Sequence, residues 1–537
     1  MNRTYEEIRA SFRWDRPAKF NFARDVIDKW AGEQPDKLAM LWIDDDGNER
    51  RISFADLSQA SRRAANLLKD AGVRRGDTVI IILGRQVAWW IMTTACIRLG
   101  AVVSPGTTQL SAKDIAYRTN ATSAVCVVTD PSCVDKVDQV LDECPTLKAR
   151  MSVDGPAQGW IDYDAEMAGA SDDFTTADTG ADEDSFCYFT SGTTGYPKMC
   201  IQNHLYGTGH VTTGKYWLDL SEDDLHWNIS DTGWAKAAWS SYFGPWLCGA
   251  ALFIHHARGF DAVTSLEMFR RYPVTTFCGA PTVYRLFVQQ DLSVLRGVEL
   301  RHCVGAGEPL NPEVIERWRE ATGLVIRDGY GQTETVILCG NMPMIEPRYG
   351  SMGKPMPGID LAVIDDEGNR LPSAKEGDIA VNVMPQRPVG LFKEYRGEAE
   401  KTAACFRGDW YVTGDRAMVD EDGYFWFVSR ADDVILSAGY RIGPFEVESA
   451  LLEHPSVAES AVVGSPDEER GEVVKAFIVL AAGVTPGDKL VADLKDHVKK
   501  VTAPYKYPRK IEFVDELPKT VSGKIRRIEL REREHRQ

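Results

Sequence analysis

The 537-residue chain has no long apolar run, no surplus of basic charge and no Cys-x-x-Cys pair, and each absence excludes a class of protein. The longest largely apolar stretch of the early chain, Val87 to Ile97, ends at Arg98 and falls well short of the roughly 20 residues that cross a bilayer. Lys plus Arg is 62 against 79 for Asp plus Glu, a net charge of −17 with histidine neutral. A protein that coats nucleic acid needs a basic face, so that partner is excluded. The eleven cysteines are odd in number and scattered. With no secretory leader, this favours reduced thiols and a cytoplasmic location. Met1 to Lys19 carries several arginines but also Glu6, Glu7 and Asp15, which a transit peptide avoids.

What is present is ample core material. Hydrophobic residues make up 44% and charged residues 26%, and the length implies three or four folding units. Between Asp77 and about Asp154 strand and helix signals alternate: Thr78–Leu83 strand, Ala88–Arg98 helix, Ala124–Val128 strand, Val134–Leu141 helix. The alternation returns with Ala251–Ile254, Ala262–Arg271, Val274–Cys278, Thr282–Gln290, Arg301–Val304 and Pro312–Ala321, the last with Asn311 as N-cap and Pro312 at its first position. Such repeats predict mostly parallel sheets flanked by helices, with ligands gathered beyond the carboxyl ends of the strands. Ala168–Asp184 is acidic and polar and reads as a mobile surface connection. Beyond about Asp432 short strands mix with helices at Pro444–Glu453 and Lys489–Lys500, a separate small α+β domain. Lys499 to Gln537 holds twelve Lys/Arg and six Asp/Glu, a local +6 that suits either a solvated tail or a site for a polyanion.

Five segments carry chemistry. Thr190-Ser191-Gly192-Thr193-Thr194-Gly195-Tyr196-Pro197-Lys198 follows the strand-like Ser185–Phe189. Its glycines let backbone N–H groups approach a polyphosphate, its hydroxyls donate, and Lys198 adds charge. Pro197 sets it apart from the common phosphate loop, and a plain Ser/Thr/Gly turn is the alternative. In Asp328-Gly329-Tyr330-Gly331-Gln332-Thr333-Glu334, Tyr330 can stack on a purine, Thr333 can donate to phosphate and Glu334 can hold Mg²⁺; a simple Gly-Tyr-Gly turn is the alternative. In Tyr411–Arg416 a tight turn presents Asp415 to two vicinal hydroxyls, or is only a β-turn. Ser429–Pro444 and Pro518–Lys524 complete the set.

In this order and spacing the segments resemble the acyl-CoA synthetase branch of the adenylate-forming superfamily, from about Asn21 to Arg531. Within it the likeness is to the medium-chain acyl-CoA synthetases, on Ser230-Asp231-Thr232-Gly233-Trp234, Asp328–Thr335, Gly439–Val447 and Thr502–Lys510. The resemblance implies an α/β fold: a large N-terminal domain, residues 1–431, of mostly parallel sheets with a smaller β subdomain, and a small mobile α+β lid, residues 432–537. It implies two half-reactions, in which a carboxylate and ATP give acyl-adenylate and pyrophosphate, and coenzyme A then displaces AMP. Lys524 would bridge carboxylate and α-phosphate, and the Thr190–Lys198 loop would grip the β- and γ-phosphates, Thr193 and Lys198 foremost. Mg²⁺ would lie against Glu334 and Thr193. Asp415 would take the ribose with Arg430 beside it. Gly307, Glu308, Pro309 and Asp328 to Thr333 would line the rest of the ATP site. Lid rotation about Asp432 would withdraw Lys524 and bring in Ala438, Gly439, Tyr440 and Arg441, with Arg470, Tyr505, Lys506 and Arg509 on the phosphates of coenzyme A. His204, His210, His255 and His256 would be structural or wall residues.

In acetate-activating relatives a tryptophan precedes the Gln-Thr-Glu sequence, and Gly331 here implies a deeper acyl pocket. Trp234, Gly305 and Ala306 would complete its wall and admit a medium-length, branched or aromatic acid. The other uses of such an adenylate are loading of a carrier protein and luciferase-type oxygenation. A non-catalytic nucleotide sensor would have lost one of Lys198, Glu334, Asp415 or Lys524, and all four are present. Self-association into a homo-oligomer is compatible with the sequence.

Overall fold

The apolar run Thr78–Ile82 is buried at every position. It pairs in parallel with Val102–Gly106 and Cys126–Thr129, near the middle of one sheet of the computed structural model. The model describes residues 3–190, 197–430, 433–437, 440–467, 470–519 and 525–536. Among these residues the strands form four sheets. The eight-stranded sheet runs from Glu394–Tyr395 through Lys198–Asn203, Asp184–Thr190, Val102–Gly106, Thr78–Ile82, Cys126–Thr129 and Ala149–Ser152 to Ile161–Asp162. A nine-stranded sheet has the parallel core Ile326–Gly331, His302–Ala306, Thr276–Gly279, Leu225–Asn228, Ala251–His256 and Leu38–Asp44, with antiparallel strands at its edges.

Between the layers lies the helix Val87–Leu99, buried along its whole length. A helix apolar on every side belongs in a core. Its one charge, Arg98, is fully buried and forked onto Asp28 at 2.8 Å, which satisfies a guanidinium that could not otherwise be desolvated. No helix among the described residues is long and apolar enough to cross a membrane.

The third sheet, antiparallel, contains Leu361–Ile364, Gly377–Asn382, Trp410–Val419 and Phe425–Arg430 and is the smaller β subdomain. The fourth uses only strands from Ile435 onward, with Gly471–Leu480 at its centre and its long hairpin partner Val457–Asp467 at one edge. The helices Pro444–Leu452 and Asp488–Val501 close a separate core of Ile435, Val447, Leu451, Val462, Val474, Leu494 and Val498. This is the α+β C-terminal unit.

Two expectations change. Ala168–Asp184 is not a loose connection. Thr179 is fully buried, Thr176 accepts from Arg98, and Asn66 donates to the Ser171 and Asp173 carbonyls. Its polar composition reflects polar partners rather than solvent. Asn311 does stand before Pro312, but its side chain makes no capping bond. It donates to Ser449 Oγ at 3.0 Å, joining this helix to the C-terminal unit.

Candidate active site

The strand ends that sequence periodicity places together do meet. Asn228, Gly279, Ala306 and Gly331 close neighbouring parallel strands. The Asp328-Gly329-Tyr330 segment, for which a simple turn was the alternative, belongs to strand Ile326–Gly331, because Gly305 and Ala306 pair with Asp328 and Gly329. Gly331 begins the return to the antiparallel Ile337–Gly340 through an irregular register.

Glu334 follows on that return and is buried. Its Oε1 accepts from Tyr395 Oη at 2.6 Å, and Lys198 Nζ stands 4.0 Å from the Tyr395 ring centroid. Burial and the Glu334 carboxylate raise the phenol's pKa, so Tyr395 remains a donor. Lys198 opens the strand Lys198–Asn203, antiparallel to Asp184–Thr190, with Thr190 opposite Lys198. The two ends of the hydroxyl-rich loop are thereby fixed side by side. Thr190 Oγ1 is buried without a partner among the described residues, and Tyr117 Oη donates to the Pro197 carbonyl at 2.9 Å. Ser191, Gly192, Thr193, Thr194 and Gly195 lie outside the described residues, as do Asp432, Ala438, Gly439 and Lys524.

Asp415 sits in the long strand Trp410–Val419 rather than after a hairpin turn. Asp378 pairs with Arg416 and Ala380 with Val412, so Thr413, Gly414 and Asp415 bulge from the ladder. Gly414, at φ +78°, is the residue that permits the bulge. Asp415 Oδ2 accepts from Tyr330 Oη at 2.6 Å and from Gln332 Nε2 at 2.7 Å, while Arg430 Nε lies 3.6 Å from Oδ1. Gln332 also donates to the Thr413 carbonyl and accepts from Tyr411 Oη. Two motifs about 85 residues apart in sequence are thus one hydrogen-bonded unit. Thr333 contributes its carbonyl to Gln202 at 2.9 Å.

Burial pushes the Asp328 carboxyl up to about 8, although the Gly329 N–H donates to it. Glu308 Oε2 accepts from Arg285 at 3.3 Å and its Oε1 is buried without a hydrogen-bond partner among the described residues. Gly307 has φ +112°, and Pro309 follows Glu308. Trp234 is half-buried and its Nε1 makes no hydrogen bond there. A Cβ built at Gly331 would stand 2.6 Å from the Val336 carbonyl and 3.1 Å from the Trp239 ring. The space beside Gly331 is therefore bounded by backbone and by an indole that the motifs do not reveal.

On the C-terminal unit Tyr440 and Tyr505 stack with centroids 4.3 Å apart. Lys506 pairs with Glu446, and Arg509 donates to Tyr507 Oη. Arg441 pairs with Leu436 across the short hairpin. Arg470 closes the turn beside Gly471, which pairs with Ser437 of the same hairpin. Of the four histidines named above, His204, His210 and His255 are buried and His256 is half-buried. Burial takes His204 down to about 4 and His210 to about 3, so neither is poised for proton transfer near neutrality. Sequence reasoning missed Tyr395, Tyr117 and Lys236. Only Lys236 left a trace, as the single charge in the otherwise uncharged run Thr232–Tyr242.

Residues 27–395 match the family model of the AMP-binding enzymes, and residues 446–524 match that of the AMP-binding enzyme C-terminal domain. The chain belongs to the AMP-binding enzyme family. It is 52% identical over 540 residues to the mitochondrial acyl-coenzyme A synthetase ACSM3 of Mus musculus, covering 99% of this chain and 93% of the relative. It is 51% identical over 546 residues to ACSM4 of Homo sapiens, covering 99% and 94%. Among solved structures it superposes on the anthranilate CoA ligase AuaEII in complex with anthranoyl-AMP with a TM-score of 0.88 at 31% identity, over 97% of this chain and 98% of that one. A benzoate CoA ligase from Burkholderia xenovorans gives 0.84 at 29% identity, over 95% and 100%. Within its family the chain is an acyl-CoA synthetase, an AMP-forming carboxylate–CoA ligase.

The same relatives overturn the cytoplasmic location expected above, since they are named as mitochondrial enzymes. Cysteine usage separates oxidising from reducing compartments, not one reducing compartment from another. Glu6 and Glu7 belong to a capped helix, Tyr5–Ser11, whose Tyr5 and Ile8 enter the core.

Proposed function

We propose that this ligase activates a medium-length, branched or aromatic carboxylate, with the first half-reaction assembled around the Glu334–Tyr395–Lys198 and Asp415–Tyr330–Gln332 units. The observation that carries this reading is their convergence: Lys198 with Tyr395, and Asp415, more than 200 residues apart in sequence, meet on the one stretch Tyr330–Glu334. The chemical difficulty is an anion approaching a polyanion, so positioning and charge neutralisation dominate.

Lys198 and the loop before it hold the terminal phosphates, and Asp415 accepts from both ribose hydroxyls after exchanging partners with Tyr330 and Gln332. No cluster of three or more His, Cys, Asp or Glu that could cage a metal occurs among the described residues. A single buried carboxylate suits Mg²⁺, which is commonly held by one or two carboxylates together with substrate phosphates. Glu334 and Thr193 would hold that ion, which when bound neutralises phosphate charge. Tyr395 donates to Oε1 of the Glu334 carboxylate and fixes its orientation.

The C-terminal unit, taken as residues 432–537 hinged at Asp432, carries Lys524 to the carboxylate and α-phosphate and then turns to admit coenzyme A. Support comes from the segment beyond Lys524. Arg527 forks onto Glu448 at 2.6 and 3.0 Å and lies within electrostatic reach of Glu308. Arg531 pairs with Asp433, next to the hinge, at 2.9 Å. Tyr440, Arg441, Arg470, Tyr505, Lys506 and Arg509 form the coenzyme face. The relatives' names point to a mitochondrial location. Pyrophosphate release measured with ATP, coenzyme A and butyrate, hexanoate, isobutyrate or benzoate tests the reading. Several of these acids turn over better than acetate if it holds; release with none, or with acetate alone, refutes it.

A further inference from the structure

Lys236 belongs to none of the five motif segments. It lies on the short helix Ala235–Ala238, which opens directly after Trp234. Its Nζ donates to the Gly279 carbonyl at 2.9 Å and to the Ala306 carbonyl at 2.8 Å, the last residues of two adjacent parallel strands. An ammonium has three N–H donors, and the third has no acceptor among the described residues.

The charge is also poorly matched. Glu308 and Asp328 are the nearby carboxylates. Glu308 is paired with Arg285, and Asp328, pushed up to about 8, is mostly protonated near neutrality. Burial accordingly pulls the Lys236 pKa below its ordinary value. Yet the residue is only half-buried. Trp234 and Ala306, its immediate neighbours, are walls assigned above to the acyl pocket. The Ala306 carbonyl that Lys236 holds is one residue before Gly307, where the run assigned above to ATP begins, so the cation lies on the side of that pocket nearer the proposed nucleotide site.

We propose that Lys236 selects acids bearing a hydrogen-bond acceptor beside the carboxylate: 2-hydroxy or 2-oxo alkanoates and ortho-hydroxylated aryl acids, whose oxygen takes the third N–H. This rests on the acyl pocket of the preceding reading. A buried donor left unpaired by a plain alkanoate disfavours it by roughly 10- to 100-fold.

The test compares kcat/KM from pyrophosphate release for 2-hydroxyhexanoate against hexanoate, and salicylate against benzoate. The wild type and Lys236→Met are compared, methionine keeping the length without charge or donor. The expected result is a wild-type preference of roughly 10- to 100-fold for the hydroxylated partner, falling to near parity in the variant whatever the change in absolute rate. A merely structural role would lower all four acids together, and that outcome overturns the assignment. So does an unchanged ratio in the variant, or no preference in the wild type, a measurement that needs no variant to fold. Wild-type turnover of hexanoate separates the two claims. Turnover without preference sinks the Lys236 assignment alone; no turnover with any acid sinks the pocket as well.

Discussion

The useful geometry of Glu334 depends on one phenol. Tyr395 fixes Oε1 and at the same time offers its ring to Lys198. Tyr395→Phe keeps the ring and removes the donor. A hydrogen bond to a charged group is worth about 1.5–3 kcal/mol, so kcat/KM for ATP should fall by roughly 10- to 100-fold. Steady-state pyrophosphate release checks this, and an unchanged value contradicts the orienting role. Gly331 is the second decisive residue. With the Val336 carbonyl 2.6 Å from a Cβ there, Gly331→Trp requires the backbone to yield and fills the pocket. Preference should move toward acetate or propionate with a lowered melting temperature; undiminished use of hexanoate and benzoate counts against the pocket assignment. The motif residues Glu334, Asp415 and Lys198 were legible in the sequence because each stands in an ordered local pattern. Tyr395 was not, since the 61 residues separating it from Glu334 are spanned only by tertiary folding.

Elements were legible where burial imposes a period. Ala262–Arg271 has the bounds its apolar spacing gives, and Thr78–Ile82 follows from an unbroken apolar run. That Asp328–Gly331 is a strand was not legible, because the carboxyl end of a parallel strand is lined here by small and polar residues, the composition of a turn. A feature of the nine-stranded sheet has a consequence for acid stability. His226, Thr276 and His302 stand in register across three parallel strands, with His226 Nδ1 2.7 Å from Thr276 Oγ1 and His302 Nε2 2.8 Å from the Trp217 carbonyl. Burial lowers His226 to about 3 and His302 to about 4. Between those values and about 6.5 the unfolded chain binds protons that the folded one refuses, so stability is intact above about pH 6.5 and falls as pH drops toward 4. At pH 5 each such histidine costs about 2 kcal/mol. Urea unfolding as a function of pH should show the loss. His302→Gln, which keeps a donor for the Trp217 carbonyl, should flatten the slope; an equally steep profile in the variant contradicts the assignment.

At the scale of the whole molecule, the N-terminal sheets form a fixed frame and the C-terminal unit has a core of its own, so it can change position without losing its packing. The contacts between the units include Asn311 with Ser449, the edge-to-face rings of Phe427 and Phe445, and the attraction between Arg527 and Glu308. Asp432→Pro, which restricts the backbone at the proposed hinge, should harm one half-reaction more than the other; equal, unaltered rates for both would remove the hinge from the account. The division into two units was legible from the change of pattern near Asp432, whereas the contacts between them, made by single residues such as Asn311, left no periodic trace.

The central claim is that a cation carried by the C-terminal unit serves adenylation and then leaves. The most direct measurement is Lys524→Ala assayed separately for pyrophosphate release from ATP and acid, and for thioester formation from supplied acyl-adenylate and coenzyme A. The account predicts that the first rate collapses by at least about 100-fold while the second stays within a few-fold of wild type. Equal loss of both rates, or retention of the first, would contradict it.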